Sequence, residues 1–238
     1  METTPGGWTI LDEPTKTLTR EYNFAKGSRA RTFVTQYADN ELVIASPPSR
    51  IERSHIEELE RFGHVTAIVA PNGFHYLGLP VFKEAFPAAV MYAPELAAKR
   101  IAKKLPDLGE LHPLSTLQGR LEPNLKIFDV PGFKIGEVWI TVATEQGPIW
   151  YVSDSCFSLE QMPKAFLPKV LLKWTKSAPG FKLNRLGNKM FLKDPESYKG
   201  WFSERLAEEH PRMVVTAHGS VVTGLDIGER MTRMVQDM

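Results

Sequence analysis

Runs rich in apolar, β-branched and aromatic residues at Trp8 to Leu11, Thr17 to Phe24, Arg31 to Tyr37 and Glu41 to Ala45 predict four strands. Ala38-Asp39-Asn40 turns the last pair into a hairpin. Ile51, Ile56, Leu59 and Phe62 then recur with helical spacing, with Ser49 as the expected N-cap and Gly63 as the stop. The apolar run Val65 to Ala70 ends at Pro71-Asn72-Gly73 and gives way to helical spacing up to about Phe86. That is the pattern of a buried strand, a tight turn and a helix, with His75 in the connection. A short strand, Ala89 to Tyr92, and a helix from Pro94 to Lys104 complete this half.

After a loop holding His112 and Pro113, three strand-like runs follow: Leu125 to Val130, Glu137 to Thr144 and Pro148 to Ser153. The breaks at Pro131-Gly132 and Glu145-Gln146-Gly147 have hairpin chemistry. Farther on come an amphipathic helix from Pro195 to His210, a strand from Met213 to Ala217 and a helix through Gln236 that Thr223 is expected to cap. Two halves, each of strands followed by helices, predict an α/β protein of two sheets packed face to face with helices outside, in one domain over 1–238.

Composition narrows the function classes. The 29 basic and 28 acidic residues nearly cancel, so no molecule-wide field recruits nucleic acid, and no specific nucleic-acid partner is expected. One cysteine, Cys156, excludes an internal disulfide and every multi-cysteine zinc pattern. The first residues lack the basic and apolar regions of a signal peptide, and no apolar run reaches the length of a membrane span; a cytoplasmic setting is expected. Gly-x-Ser-x-Gly, P-loop and dinucleotide fingerprints are absent.

Three polar residues close strand-like runs: His75 after Ala70, Asp154 after Ser153 and His218 after Ala217. Each alone reads equally as a loop, turn or cap residue. Together, two imidazoles and a carboxylate suffice for one divalent metal with open positions. The other histidines, His55, His64, His112 and His210, are expected to face solvent. Asn72 is a candidate for bonding substrate or water, or a plain turn residue. Cys156 reads either as a nucleophile or as a small buried apolar residue, the usual state of a free cysteine.

In this order, the elements resemble the metallo-β-lactamase fold, a four-layer αββα sandwich, and the family's markers can be laid over nearly the whole chain. The signature His-x-His-x-Asp-His falls on Ala70-Pro71-Asn72-Gly73-Phe74-His75 and keeps only its last histidine. The later Pro-Gly-His falls on Pro131-Gly132-Phe133 and loses its ligand, whereas Gly-Asp resembles Ser153-Asp154 and Gly-His-Gly resembles Ala217-His218-Gly219. The chain is similar to a degenerate, poorly characterised branch of that superfamily. The resemblance implies at most one metal (zinc, iron(II) or manganese), held by His75, Asp154 and His218, with Asp154 and His218 catalytic in a hydrolase of unknown substrate. It equally allows a relative without metal or catalysis that acts as a binding or structural protein.

One further stretch stands out. From Gln161 to Lys193 the chain carries eight basic residues, among them Lys164, Lys173 and Lys176, and no Asp or Glu, with Phe166, Trp174, Phe181 and Phe191 interleaved. It is read as a lid whose Lys173 and Lys176 bind a small anionic substrate, as a cationic surface for anionic lipid, nucleic acid or another partner, or as solvated helices whose aromatics pack on the body. Pro168 and Pro179-Gly180 argue against one continuous helix.

Overall fold

The computed structural model describes residues 1–163 and 165–238; Lys164 of the basic stretch lies outside the described residues. In the first half, β1 (Thr9–Asp12), β2 (Thr17–Ala25), β3 (Ser28–Ala38) and β4 (Glu41–Ala45) form an antiparallel meander. α1 (Arg53–Glu57) and a 3-10 turn (Glu58–Arg61) lead to β5 (His64–Val69); α2 (Leu79–Ala85), β6 (Val90–Ala93), α3 (Glu95–Lys104) and β7 (His112–Pro113) follow. Here β4, β5, β6 and β7 pair in parallel, so one seven-stranded sheet runs β1 to β7 in chain order.

The second half opens with α4 (Leu114–Gln118), β8 (Leu125–Asp129), β9 (Val138–Val142), β10 (Ile149–Tyr151) and β11 (Cys156–Leu159). α5 (Phe166–Trp174), β12 (Gly180–Leu183), α6 (Arg185–Phe191), α7 (Pro195–Glu208), β13 (Met213–Val215), β14 (Val222–Thr223) and α8 (Ile227–Gln236) complete it. The five-stranded sheet has the order β14-β13-β10-β9-β8, with β10 and β13 parallel, and β11 and β12 form a separate ribbon.

Strand alternation sorts the side chains into three apolar layers. Leu42, Ile44 and Ile68 turn outward under Phe82, Ala97 and Ile101 of the helices, whereas Val43, Ala45, Ala67 and Val69 turn inward. There they meet Val138, Ile140, Val142, Tyr151 and Val215 of the second sheet. Trp139, Trp150 and Val214 point the other way, onto Tyr198, Phe202, Ile227 and Met231 of α7 and α8. Burying an aliphatic or aromatic side chain in such layers contributes about 1.5–3 kcal/mol. The order helix, sheet, sheet, helix is the expected αββα sandwich.

Two helix starts differ from expectation. Ser49 does not cap α1, which begins only at Arg53 behind Glu52 with no side-chain cap, because Pro47-Pro48 follow Ser46 in a left-handed conformation (φ 56°). Thr223 ends β14 rather than capping α8, since Gly224 (φ 154°) breaks the chain direction before Ile227.

Candidate metal centre

His75 lies between β5 and α2, Asp154 between β10 and β11, and His218 just after β13. Strands from both sheets therefore deliver the three groups to one rim of the sandwich. Their ligand atoms lie within 4.8 Å of one another. His75 Nε2 is 3.2 Å from Asp154 Oδ2, and His218 Nε2 is 3.3 Å from Asp154 Oδ1. The expected convergence is found.

The imidazoles are fixed from behind. His218 Nδ1 lies 2.7 Å from the Arg29 carbonyl, which can only accept, so Nδ1 carries the proton and Nε2 faces Asp154. Rings of Phe24 and Phe157 bracket it at 5.9 and 5.6 Å. His75 Nδ1 bonds Ser46 Oγ at 2.7 Å, and Ser46 in turn bonds the Tyr22 hydroxyl at 3.0 Å. Burial pushes that phenol up to about 12, so it stays neutral. The backbone of the first sheet also grips the C-terminal loop: Arg31 N donates to Ala217 O at 2.8 Å and Arg31 Nε to Gly219 O at 3.0 Å.

Asp154 is held equally firmly. Asn72 Nδ2 donates to its Oδ2 at 2.9 Å and leans toward Glu137 Oε2 at 3.2 Å, while Asn72 Oδ1 accepts from Phe74 N at 2.9 Å. Glu137 Oε1 accepts from Ser155 N and Oγ, both at 2.8 Å. Ser153 (φ 42°) and Ser46 (φ 56°) are both left-handed, and these strained turns at strand ends aim Asp154 and the Ser46 hydroxyl into the site. Burial by itself would raise the Asp154 carboxyl, but the two imidazoles facing it outweigh that and hold it well below the usual carboxylate range. Burial also works against protonated His218, yet Asp154 and the Arg29 carbonyl raise it. Burial, and then the charge of Asp154, push Glu137 well above its ordinary value.

The residues present fit one divalent ion. A tetrahedral ion with bonds of about 2.0–2.1 Å sets its ligand atoms about 3.3 Å apart. The two His–Asp separations, 3.2 and 3.3 Å, come close to this but run to different carboxylate oxygens, and with the three ligand atoms spread over up to 4.8 Å an ion would draw the imidazoles together. Asp154 Oδ1 is buried and, apart from His218 Nε2 at 3.3 Å, has no hydrogen-bond donor aimed at it, which leaves it able to take an ion. Both Nε2 atoms are turned inward, while their Nδ1 partners lie behind.

The triad floors a cleft of about 200 Å³ whose walls are Tyr22, Phe24, Ala30, Phe74 and Leu77. Phe74 is clamped under the Arg100 guanidinium, 4.4 Å above its ring, and packs on Phe191 of α6 at 5.1 Å. Phe133, the other aromatic at a ligand-like position, packs on Tyr198 at 5.1 Å and leaves the cleft open.

Two expectations about substrate contacts need correction. Asn72 is fully buried behind Asp154, with no surface to offer a substrate, because both ends of its amide are spent on the network. Lys173 and Lys176 are exposed on and just after α5, and among the described residues no lysine or arginine lines the cleft. Cys156 is buried in the outer apolar layer, where burial raises its thiol, so it is no nucleophile. Ser46, Glu137 and Tyr22 escaped the sequence reading; the only trace they left was a serine and a glutamate at the ends of apolar runs.

No family model matches the chain, and a search of curated proteins finds no match. Solved structures do match, over nearly the full length. The chain is similar to the DIM-1 metallo-β-lactamase (12% identity, 100% of this chain and 99% of the other, TM-score 0.58). It is similar to FIM-1 from Pseudomonas aeruginosa in its mono-zinc form (12%, 100% and 97%, 0.58) and to a metallo-β-lactamase from Pontibacter korlensis (11%, 93% and 94%, 0.54). Identities this low speak for architecture and not for activity. With both sheets, both outer helical layers and the whole length accounted for, the chain adopts the metallo-β-lactamase fold.

Proposed function

We propose that the protein is a metal-dependent hydrolase that holds one divalent ion, zinc, iron(II) or manganese, on His75, Asp154 and His218. The convergence of three potential ligands at a cleft floor, each braced from behind, carries this proposal. When bound, the ion supplies Lewis-acid polarisation and acidifies water. The chain's own groups do the rest. Asp154 would hold the ion through its carboxylate between the two imidazoles, and Asn72 keeps that carboxylate from rotating. The apolar walls exclude bulk water and fit a small ester, amide, thioester or phosphoester with an apolar group beside the scissile bond. Among the described residues no lysine or arginine lines the cleft to meet the small anionic substrate expected from the basic stretch.

Elemental analysis of protein purified without chelator tests the proposal, paired with His218→Ala. The expected result is about one equivalent of metal in the parent protein, a melting temperature that rises with added ion, and neither in the variant. Failure to bind zinc, iron or manganese, with no thermal shift, refutes it. The His–Asp–His contacts also favour a second role, a metal-free binding protein, because the two imidazoles and Asn72 already surround the carboxylate with polar neighbours.

A further inference from the structure

α5 has the sequence Phe-Leu-Pro-Lys-Val-Leu-Leu-Lys-Trp, and only Leu172 of it is buried. Leu171 is half-buried, and the remaining apolar side chains are turned to solvent: Phe166 is 80% exposed, Leu167 66% and Trp174 69%, with Val170 between them. Residues 166, 170 and 174 follow at intervals of four and form one stripe along the helix. The aromatics at the two ends of this helix therefore do not pack on the body. A contiguous outward apolar stripe on a nine-residue helix is unusual for a surface that meets only water.

Within the segment that carries the stripe the charge has one sign. Lys169, Lys173 and Lys176 are exposed on or beside α5, and Lys189 of α6 stands over the Trp174 ring at 4.9 Å. From Gln161 to Lys193 there is no acidic residue, although the whole chain carries a formal charge of only +1. The positive charge is thus local. Two copies of the stripe would bring lysines against lysines, which opposes self-association. The aliphatic Leu167 and Val170 offer no ring on which nucleic-acid bases stack. Apolar side chains including a terminal tryptophan, surrounded by lysines, match an interface with hydrocarbon below and anionic headgroups around it.

We infer that the outward face of α5 docks the protein on the surface of a bilayer containing anionic lipid, as a peripheral contact. No helix among the described residues is long and apolar enough to cross a membrane, which fits a surface contact. α6, which carries Lys189, also carries Phe191 against Phe74, so the docking face adjoins the apolar wall of the cleft. The inference stands independently of any metal at the site.

The test is co-sedimentation of the full chain with phosphatidylcholine vesicles, with and without phosphatidylserine, followed also by tryptophan emission. Trp8, Trp139 and Trp150 are fully buried and Trp201 is packed half-buried on the outer layer, so a blue shift that disappears with Trp174→Ser reports on Trp174. Expected are partitioning about tenfold stronger with phosphatidylserine, a blue shift, and reversal at high salt. The paired substitutions Phe166→Ser with Trp174→Ser, and Lys169→Glu with Lys173→Glu, should each abolish binding without changing the melting temperature, because all four side chains are exposed. No binding to anionic vesicles, or binding unchanged in both variants, overturns the inference. So does a dimer that either variant dissociates, or displacement from vesicles by single-stranded RNA at physiological salt.

Discussion

Asn72→Ala is the sharpest perturbation of the site that leaves every candidate ligand in place. The wild-type amide is fully buried and sits between two carboxylates, donating to Asp154 and reaching Glu137, while its oxygen takes the Phe74 N–H. Losing a hydrogen bond to a charged group costs about 1.5–3 kcal/mol, and losing the bond from Phe74 about 1 more, together about 2.5–4 kcal/mol. For a chain of 238 residues each kcal/mol moves the midpoint by about 2–4 °C, so the expected loss is about 5–16 °C. Circular dichroism melts of metal-free parent and variant, with coincident near- and far-ultraviolet transitions, measure it. Asn72→Asp should be worse above neutral pH, because a third carboxylate then faces Asp154 and Glu137. If Asn72→Ala melts within about 2 °C of the parent, the amide does not hold the carboxylates together and the account of the network is wrong.

Two further outcomes follow from the same geometry. In metal-free protein the depressed Asp154 contributes stability above its unfolded pKa of about 3.9 that is lost as pH falls below it, whereas raised His218 and Glu137 contribute stability that is lost as pH rises through their folded values. The melting temperature should therefore pass through a maximum on the acid side of neutrality and decline in both directions, with His218→Gln weakening the alkaline decline; a profile flat from pH 4 to 9 would contradict this. Gly219→Ala should destabilise the protein by more than about 2 kcal/mol and loosen His218, because φ is 116° and the new methyl would lie 2.3 Å from the Ser158 carbonyl; urea titration measures it, and a near-neutral change would show that the loop has slack.

Much of the fold was legible because the central strands are short, unbroken apolar runs bounded by turn residues. Leu42-Val43-Ile44-Ala45 and the run through Ala67-Ile68-Val69 announce strands buried on both faces, and they are. The layer order came from a resemblance, since periodicity alone does not say which sheet lies against which. The triad was legible as three polar residues closing three apolar runs. Glu137 was not, because a charge at the start of a strand-like run reads as solvent-facing, and its burial depends on partners 65 positions back at Asn72. Ser46 is aimed by a left-handed backbone that no side-chain pattern encodes. For α5, apolar spacing defines a face but not its direction, so the aromatics expected on the body stand in solvent instead.

The grip of Arg29 and Arg31 on the loop around His218 joins segments about 189 positions apart. During synthesis the amino-terminal hairpin must therefore wait for nearly the whole polypeptide before this rim can close. Such distant closure is a slow step in folding, and a nascent or truncated chain lacking β13 has His75 and Asp154 but no third ligand. Closure of the rim is thereby tied to arrival of the segment around His218.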